Sequence, residues 1–279
     1  MNAMTIQWSA VYTLAIRELT RFFRQRSRLI GALGQPIVFW ILFGTGLRGS
    51  FDVPSWAPET LTYQQYFFPG VIALILLFTA IFATISIIED RKEGFLQGVL
   101  VSPVSRTSIV LGKVLGGTML AMIQVALFVA IAPLLWLIGI APQVLPAMNP
   151  LTVIGLTAFI FVFGLALTSL GFLLAWPMDS TQGFHAVMSI VLMPMWLLSG
   201  AFFPTEGAGW LKWVMLANPM TYGVAGLQRL MLPGLPSGSA PGLPSLALCV
   251  TATILFATIC LAISVQLANR QAIRNSRAA

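Results

Sequence analysis

Very few residues of this chain are placed to do chemistry. Its 279 residues include one His, two Cys and eight Asp+Glu against fifteen Lys+Arg. Lys113 lies near one end of a long apolar run, His185 at the start of another and Asp179 in the short turn before it, and none stands at the middle of a run. Pumps driven by protons or sodium display Asp, Glu, His or Arg deep in the bundle. A lone His at the edge of an apolar run is more often a packed residue than a ligand. There is no H-E-x-x-H, no paired acid inside a run and no nucleophile beside a base, so an intramembrane enzyme is poorly supported. The phosphate-binding signature G-x-x-x-x-G-K-S/T is absent. Gly112-Lys113-Val114-Leu115-Gly116-Gly117 has glycines at the wrong spacing for phosphate, and they predict close helix packing instead. Cys249 and Cys260 share one apolar run and would stand about 16 Å apart on a helix, too far to bridge. One His also excludes a His-rich metal centre.

The remaining composition explains this poverty. Apolar residues make up 58% of the chain and charged residues only 8%, where a soluble domain carries about 25%. Mean hydropathy is +0.90. A membrane span needs roughly 20 mostly apolar residues, and six stretches qualify: 29–47, 67–88, 109–138, 151–176, 184–203 and 243–266. Continuous apolar runs of this length must be helices, because lipid offers backbone groups no other partner. The expected fold is therefore an all-α integral membrane protein with a single transmembrane domain over 1–279. Six spans place both termini on one side. If that side is cytoplasmic, it holds every basic residue except Arg48, Lys212 and Arg229. The positive-inside rule then puts both termini in the cytoplasm. The net charge of +7 is distributed between apolar runs and is not a nucleic-acid signature.

Three segments outside the spans carry structure of their own. Residues 5–28 form an amphipathic helix: Arg17, Arg21, Arg24 and Arg28 cluster on one stripe, and Trp8, Tyr12, Ala15, Ile16, Leu19, Phe22 and Phe23 lie opposite. Such a helix suits a membrane surface. A plain anchor and a helix that also touches a cytoplasmic partner are both open readings. Residues 89–106 carry the second span through a charged turn (Glu89, Asp90, Arg91, Lys92, Glu93) into a short apolar helix that Ser102-Pro103 stops. Half-apolar surface of that kind usually docks somewhere. Beyond the fifth span, Trp210 to Leu216 is too apolar for a free loop and too short to span. Asn218-Pro219 then predicts an N-cap with Pro at the first helical position and a second short helix to about Leu232. The pair is expected to be re-entrant or interfacial. The Pro/Gly-rich stretch 233–244 predicts a flexible external loop.

The layout resembles the membrane subunit of an ABC type-2 exporter. The resemblance rests on Glu89…Glu93-Gly94…Leu100-Val101-Ser102-Pro103-Val104-Ser105-Arg106, on Tyr66-Phe67-Phe68-Pro69-Gly70, and on Ser199-Gly200…Phe203-Pro204…Asn218-Pro219-Met220-Thr221-Tyr222. It implies a coupling helix at 91–100 that docks on a separate ATPase, with Glu89, Arg91, Glu93, Gly94, Phe95, Leu100, Ser102, Pro103 and Arg106 at the contact and Arg17 and Arg21 beside it. Trp210, Trp213, Asn218, Pro219 and Tyr222 would form the re-entrant gate. A path lined mainly by spans two and five would include Phe78, Phe82, Met188, Met195 and Trp196. Two ATPase subunits and a second permease copy or paralogue would complete the complex in the bacterial cytoplasmic membrane, among membrane lipids and with no nucleic acid. No cofactor is expected on this chain; ATP and Mg would sit in the ATPase. Cargoes implied are drugs, lipids or glycolipid-like amphiphiles, or polysaccharides and lipo-oligosaccharides. A self-contained channel or carrier would need a polar path through the bundle, and a scaffold without transport is the remaining alternative.

The topology makes a direct prediction. A cysteine introduced by Ser237→Cys is labelled by an impermeant thiol reagent only from outside, and one at Ser276→Cys only from inside. The reverse pattern in intact cells against inverted vesicles would overturn the orientation.

Overall fold

The computed structural model describes residues 6–24, 26–144, 149–232, 235 and 242–276. The side chain of Arg28, the loop position Ser237 and most of 233–244 lie outside the described residues. The elements are helical: α1 Trp8–Arg24, α2 Arg26–Gly46, α3 Tyr63–Lys92, α4 Phe95–Val101, α5 Arg106–Leu137, α6 Pro150–Ala175, α7 Thr181–Ala201, α8 Leu211–Ala217, α9 Pro219–Met231 and α10 Leu246–Ser276. Helices α3, α5, α6, α7 and α10 are long and apolar enough to cross a membrane, and the apolar part of α2, Ile30–Gly46, is shorter. The chain is thus an all-α integral membrane protein with five to six spanning-capable helices.

Boundaries differ from the sequence expectation for identifiable reasons. The amphipathic segment is described as α1 to Arg24 and α2 is described from Arg26, the junction between them lying outside the described residues. Helix α3 starts four residues early, on a capping box in which Thr62 and Gln65 satisfy each other's backbone. It runs on through the charged turn to Lys92. Helix α10 continues ten residues past 266, since neither Gly nor Pro interrupts that segment.

Helix α3 is the axis of the bundle. Of its most apolar eighteen residues, 94% are buried inside the molecule, under α2, α5, α6, α7 and α9. Aromatic packing fixes its first half: Phe68 lies 4.9 Å from Phe128 and 5.0 Å from Trp40, centroid to centroid. The outward faces of α5, α6, α7 and α10 present Leu134, Ile154, Ile190 and Leu255. Lipid is the solvent in which that much exposed apolar surface is stable.

Small residues set the closest approaches, as the glycine spacing predicts. A Cβ on Gly112 would meet Leu14 at 2.7 Å, and one on Gly116 would meet Ala15 at 3.0 Å, so α1 lies directly along α5. Gly117 faces Thr168 and Ala83 in the same way. On the other side, Gly223 and Gly226 of α9 press against the rings of Phe163 and Phe159, where a Cβ would stand only 2.3 and 2.2 Å away. Two flat positions on α9 thereby receive two rings of α6.

That fit is testable. Gly226→Val should destabilise the protein by about 1–3 kcal/mol or more, as overpacking does, read as a lower midpoint in thermal unfolding of the detergent-solubilised chain. Adding Phe159→Ala should recover much of the loss; no recovery would mean the contact does not hold α9.

Candidate functional site

Two clusters of polar chemistry stand at opposite ends of the bundle. At the end carrying α1 and α4, Asp90 is completely buried yet accepts four hydrogen bonds. Arg17 grips it in a bidentate pair at 3.0 and 2.7 Å, Arg21 donates at 2.7 Å, and Lys113 Nζ closes the set. Lys113 also donates to Glu18 Oε1 at 2.5 Å and to Ser86 Oγ at 3.1 Å, while Ser86 lies 2.8 Å from the other Glu18 oxygen. Arg21 continues outward to Glu89 at 2.9 Å. Arg17, Arg21 and Lys113 thus meet Glu18, Glu89 and Asp90, and Glu93 stands 3.6 Å from Arg21 at the exposed edge of the cluster. Burial opposes the charge of Arg17, but its hydrogen bonds to Asp90 and the Asp90 charge outweigh that and raise its pKa above the ordinary value.

The stripe of arginines also works inside the chain. Arg17 and Arg21 do not simply face water; they turn into the protein to pair with α3, since a carboxylate with no access to solvent must be paired. Helix α1 has three faces. Val11, Ala15, Glu18 and Phe22 pack inward, Trp8, Tyr12, Ile16 and Phe23 are exposed, and the guanidinium stripe closes over α3. Glu18 is the residue that sequence reasoning missed. Its signal was a lone acid in the register of Val11, Ala15 and Phe22, a position otherwise reserved for apolar side chains.

The same cluster holds α4. The Arg17 guanidinium lies 3.7 Å above the Phe95 ring. Gly94 enters α4 with φ +77°, a conformation suited to glycine. Leu96 is buried. Arg106 caps the helix by donating to the Leu100 carbonyl at 2.9 Å, and Gln7 donates to the Pro103 carbonyl at 2.9 Å. Ser102 is extended ahead of Pro103. Arg91 binds the carbonyls of Met178 and Trp176 and pairs with Asp179 at 2.8 Å, so it ties off the end of α6. The arginines expected at a docking contact are thus committed within the chain. What α4 leaves outward is Glu93, Gly94, Gln97, Gly98 and Val101, the last 85% exposed.

At the opposite end, span five is broken. Helix α7 contains two wide π turns, Met188–Leu192 and Leu197–Ala201, with Pro194 between them, and Leu198 and Gly200 leave helical geometry. Its freed carbonyls are taken by side chains. Asn218 donates to Met195 and Leu198 at 2.5 and 3.2 Å, Tyr66 to Gly200 at 2.6 Å, and Gln228 to Gly200 at 3.3 Å. Asn218 also caps α9 by accepting from the Met220 amide. Tyr222 donates to the Leu216 carbonyl at 2.9 Å. Trp196 donates to the Gly70 carbonyl at 2.8 Å, and Gly70 touches Ala201. The Tyr66–Gly70, Ser199–Gly200 and Asn218–Pro219 motifs, distant in sequence, thus meet at one place.

Other sequence-derived residues fall elsewhere. Phe78 and Trp196, expected along a path, are buried by the chain's own helices: Phe78 belongs to the enclosed α3, and Trp196 of α7 turns onto α3 at Gly70. Phe82, Met188 and Met195 are half-buried. Trp210 and Trp213, expected in the re-entrant gate, are 77% and 73% exposed. It is α9 that packs inward, against α10, α7, α3 and α6. His185 is exposed at the start of α7.

The architecture is an amphipathic helix locked to an all-α membrane bundle, with a short connecting helix at one end and a packed short helix at the other. Residues 9–232 match the ABC-2 type transporter family, and the chain belongs to it. It is similar to the putative transport permease ycf38 of Cyanophora paradoxa, 27% identical over 223 residues, 79% of this chain and 73% of the relative. The probable multidrug ABC transporter permease YbhR of Escherichia coli K12 is 27% identical over 172 residues, 61% of this chain and 44% of the relative. The daunorubicin resistance ABC transporter permease protein DrrB1 of Streptomyces coeruleorubidus is 24% identical over 224 residues, 80% of this chain and 75% of the relative.

Removing one member of the ion cluster should be costly. Lys113→Met leaves Glu18 and Asp90 without their shared cation and should cost about 3–5 kcal/mol. The double variant Lys113→Met with Glu18→Gln should lie closer to wild type than additivity allows in a thermodynamic cycle of unfolding. Strict additivity would show that the groups do not act together.

Proposed function

We propose that this chain is the permease subunit of an ATP-driven exporter and moves an amphiphilic cargo, of drug, lipid or glycolipid type, out across the bacterial cytoplasmic membrane. A separate ABC ATPase, in two copies, supplies ATP and Mg and hydrolyses the nucleotide. A second permease copy or paralogue completes the complex, with surrounding lipid as the other partner. Both termini are cytoplasmic, so α1 and α4 face the ATPase.

The observation that carries this reading is the state of α4. Its flank toward the bundle is fastened by Phe95, Leu96 and Arg106, while its other flank, with Val101 almost fully exposed, has no partner within the chain's core. A helix held so firmly, with Gln97, Gly98 and the apolar Val101 left uncovered, suits a rigid docking ridge. Family membership and the names of the drug-associated relatives support ATP-driven export, and the neutral interior of the bundle fits a work source outside it. Closing of the ATPase pair would push α4 and, through Asp90 and Arg17, move α3 and α1 together.

Val101→Asp places a charge where the ridge would be desolvated and should cut ATP-dependent efflux about tenfold, from roughly 1.4 kcal/mol of lost docking, with an unchanged melting midpoint. Glu93→Ala should act in the same direction. Efflux at the wild-type rate in a variant carrying both changes would remove α4 from the contact.

A further inference from the structure

A second concavity lies at the end opposite α4, between the loop that follows α2 and the segment that follows α7. It encloses about 500 Å³, within the range of small-molecule sites. Four rings wall it: Phe51, Tyr63, Phe202 and Phe203. Phe51 stands 5.2 Å from Tyr63, and Tyr63 stands 6.5 Å from Phe202, centroid to centroid. Tyr63 also donates to the Phe202 carbonyl at 2.9 Å, so these walls are fastened to each other and preformed.

Two carboxylates complete the lining, Asp52 and Glu206, and no Lys or Arg joins them. Arg48, on the neighbouring short turn, is not among the lining residues. Glu206 is positioned by Ser55, whose amide and hydroxyl donate one hydrogen bond to each of its oxygens, at 3.0 and 2.6 Å. Each oxygen keeps a free acceptor site. Asp52 has no ion-pair partner among the described residues and is exposed at the rim.

Aromatic faces attract cations through their quadrupoles, and carboxylates attract them by charge. An anion gains from neither. A neutral apolar molecule gains from the rings but must dehydrate the acids. We propose that this cavity is a binding site for amphiphilic organic cations, a quaternary or protonated amine or a phosphonium on an aromatic or apolar body. The inference rests on the export reading above, under which this end is external, and it gives the cargo a chemical class. The site is where a cation leaving the bundle is held before release.

The test uses the full-length chain in dodecylmaltoside, with no nucleotide and no ATPase. Binding of tetraphenylphosphonium is measured by equilibrium dialysis against empty micelles, alongside the aromatic anion 8-anilinonaphthalene-1-sulfonate. Saturable binding of the cation and none of the anion at the same site is expected. Asp52→Asn with Glu206→Gln should weaken cation binding about tenfold or more, and Phe203→Ala should weaken it with the acids intact. Asp52→Asn alone alters only an exposed rim residue, so it keeps the test decisive if the double variant fails to fold; it should weaken binding severalfold. Unchanged affinity in the Asp52 variant, or competition by the anion for the same sites, would overturn the proposal. Because no ATPase is present, failure here with a normal Val101 result would sink the cargo class alone. Failure at Val101 with intact cation binding would sink the docking reading alone.

Discussion

The structure depends on one burial problem: Asp90 and Glu18 sit where water does not reach. An isolated carboxylate there would cost far more than a domain's net stability. The chain meets this with Lys113 from α5 and with Arg17 and Arg21 from α1. Once those partners are required, several features follow. Helix α1 must lie along α5, so α5 carries Gly112 and Gly116 where α1 crosses. Arg17 must sit over the end of α3, where it also covers Phe95. The interfacial helix, the end of α3, the start of α5 and α4 therefore form one fastened unit. Buried ion pairs replaced by well-packed apolar groups are often neutral in stability, so the value of these ions lies in specifying one arrangement of four elements.

The opposite end answers the same constraint with neutral groups. A helix broken at Leu198 and Gly200 frees carbonyls, and in a membrane these need partners other than water. Asn218, Tyr66 and Gln228 provide them. The break is thereby tied to α9 and to α3 at once. Wide π turns of this kind, flanking a proline, are the usual marks of a helix that has been adapted to a task. The break also turns the chain so that Phe202 and Phe203 line one concavity with Phe51 and Tyr63.

Much of this was legible where the signal is local. Asn218-Pro219 announces a helix start because capping needs only adjacent residues. The stop at Ser102-Pro103 needs only the steric effect of proline on its neighbour. Glycines in apolar runs announce close contacts, although only the fold says that Gly112 and Gly116 meet α1 while Gly117 meets α6. What was not legible depends on partners far along the chain. A wheel places Arg17 and Arg21 on one stripe but cannot say that Asp90, some seventy residues on, turns that stripe inward. Glu18 was overlooked for the same reason. A Trp at helical spacing looks like a seal, yet Trp210 and Trp213 face outward because α9, with its glycines, fits the bundle better than α8 does. Phe78 and Trp196 looked free to line a path because no run of sequence reveals that α3 is wrapped on every side.

The two ends are joined by α3 itself. Its 30 residues make a rod of about 45 Å at 1.5 Å per residue. One end is clamped by the ion cluster at Asp90, and the other bears on the broken part of α7 through Tyr66 and Gly70. Between them the buried polar groups, such as Thr79 paired with Gln124, carry no charge at any pH. Under the proposed function this division is mechanically apt. A neutral middle has no group whose titration could drive it, and a packed interior transmits displacement instead of absorbing it. Force applied at α4 would reach the outer break without passing through any flexible segment of α3. The break is held by five side-chain hydrogen bonds to the carbonyls of Met195, Leu198 and Gly200, so under that reading it is where displacement of the rod would become opening.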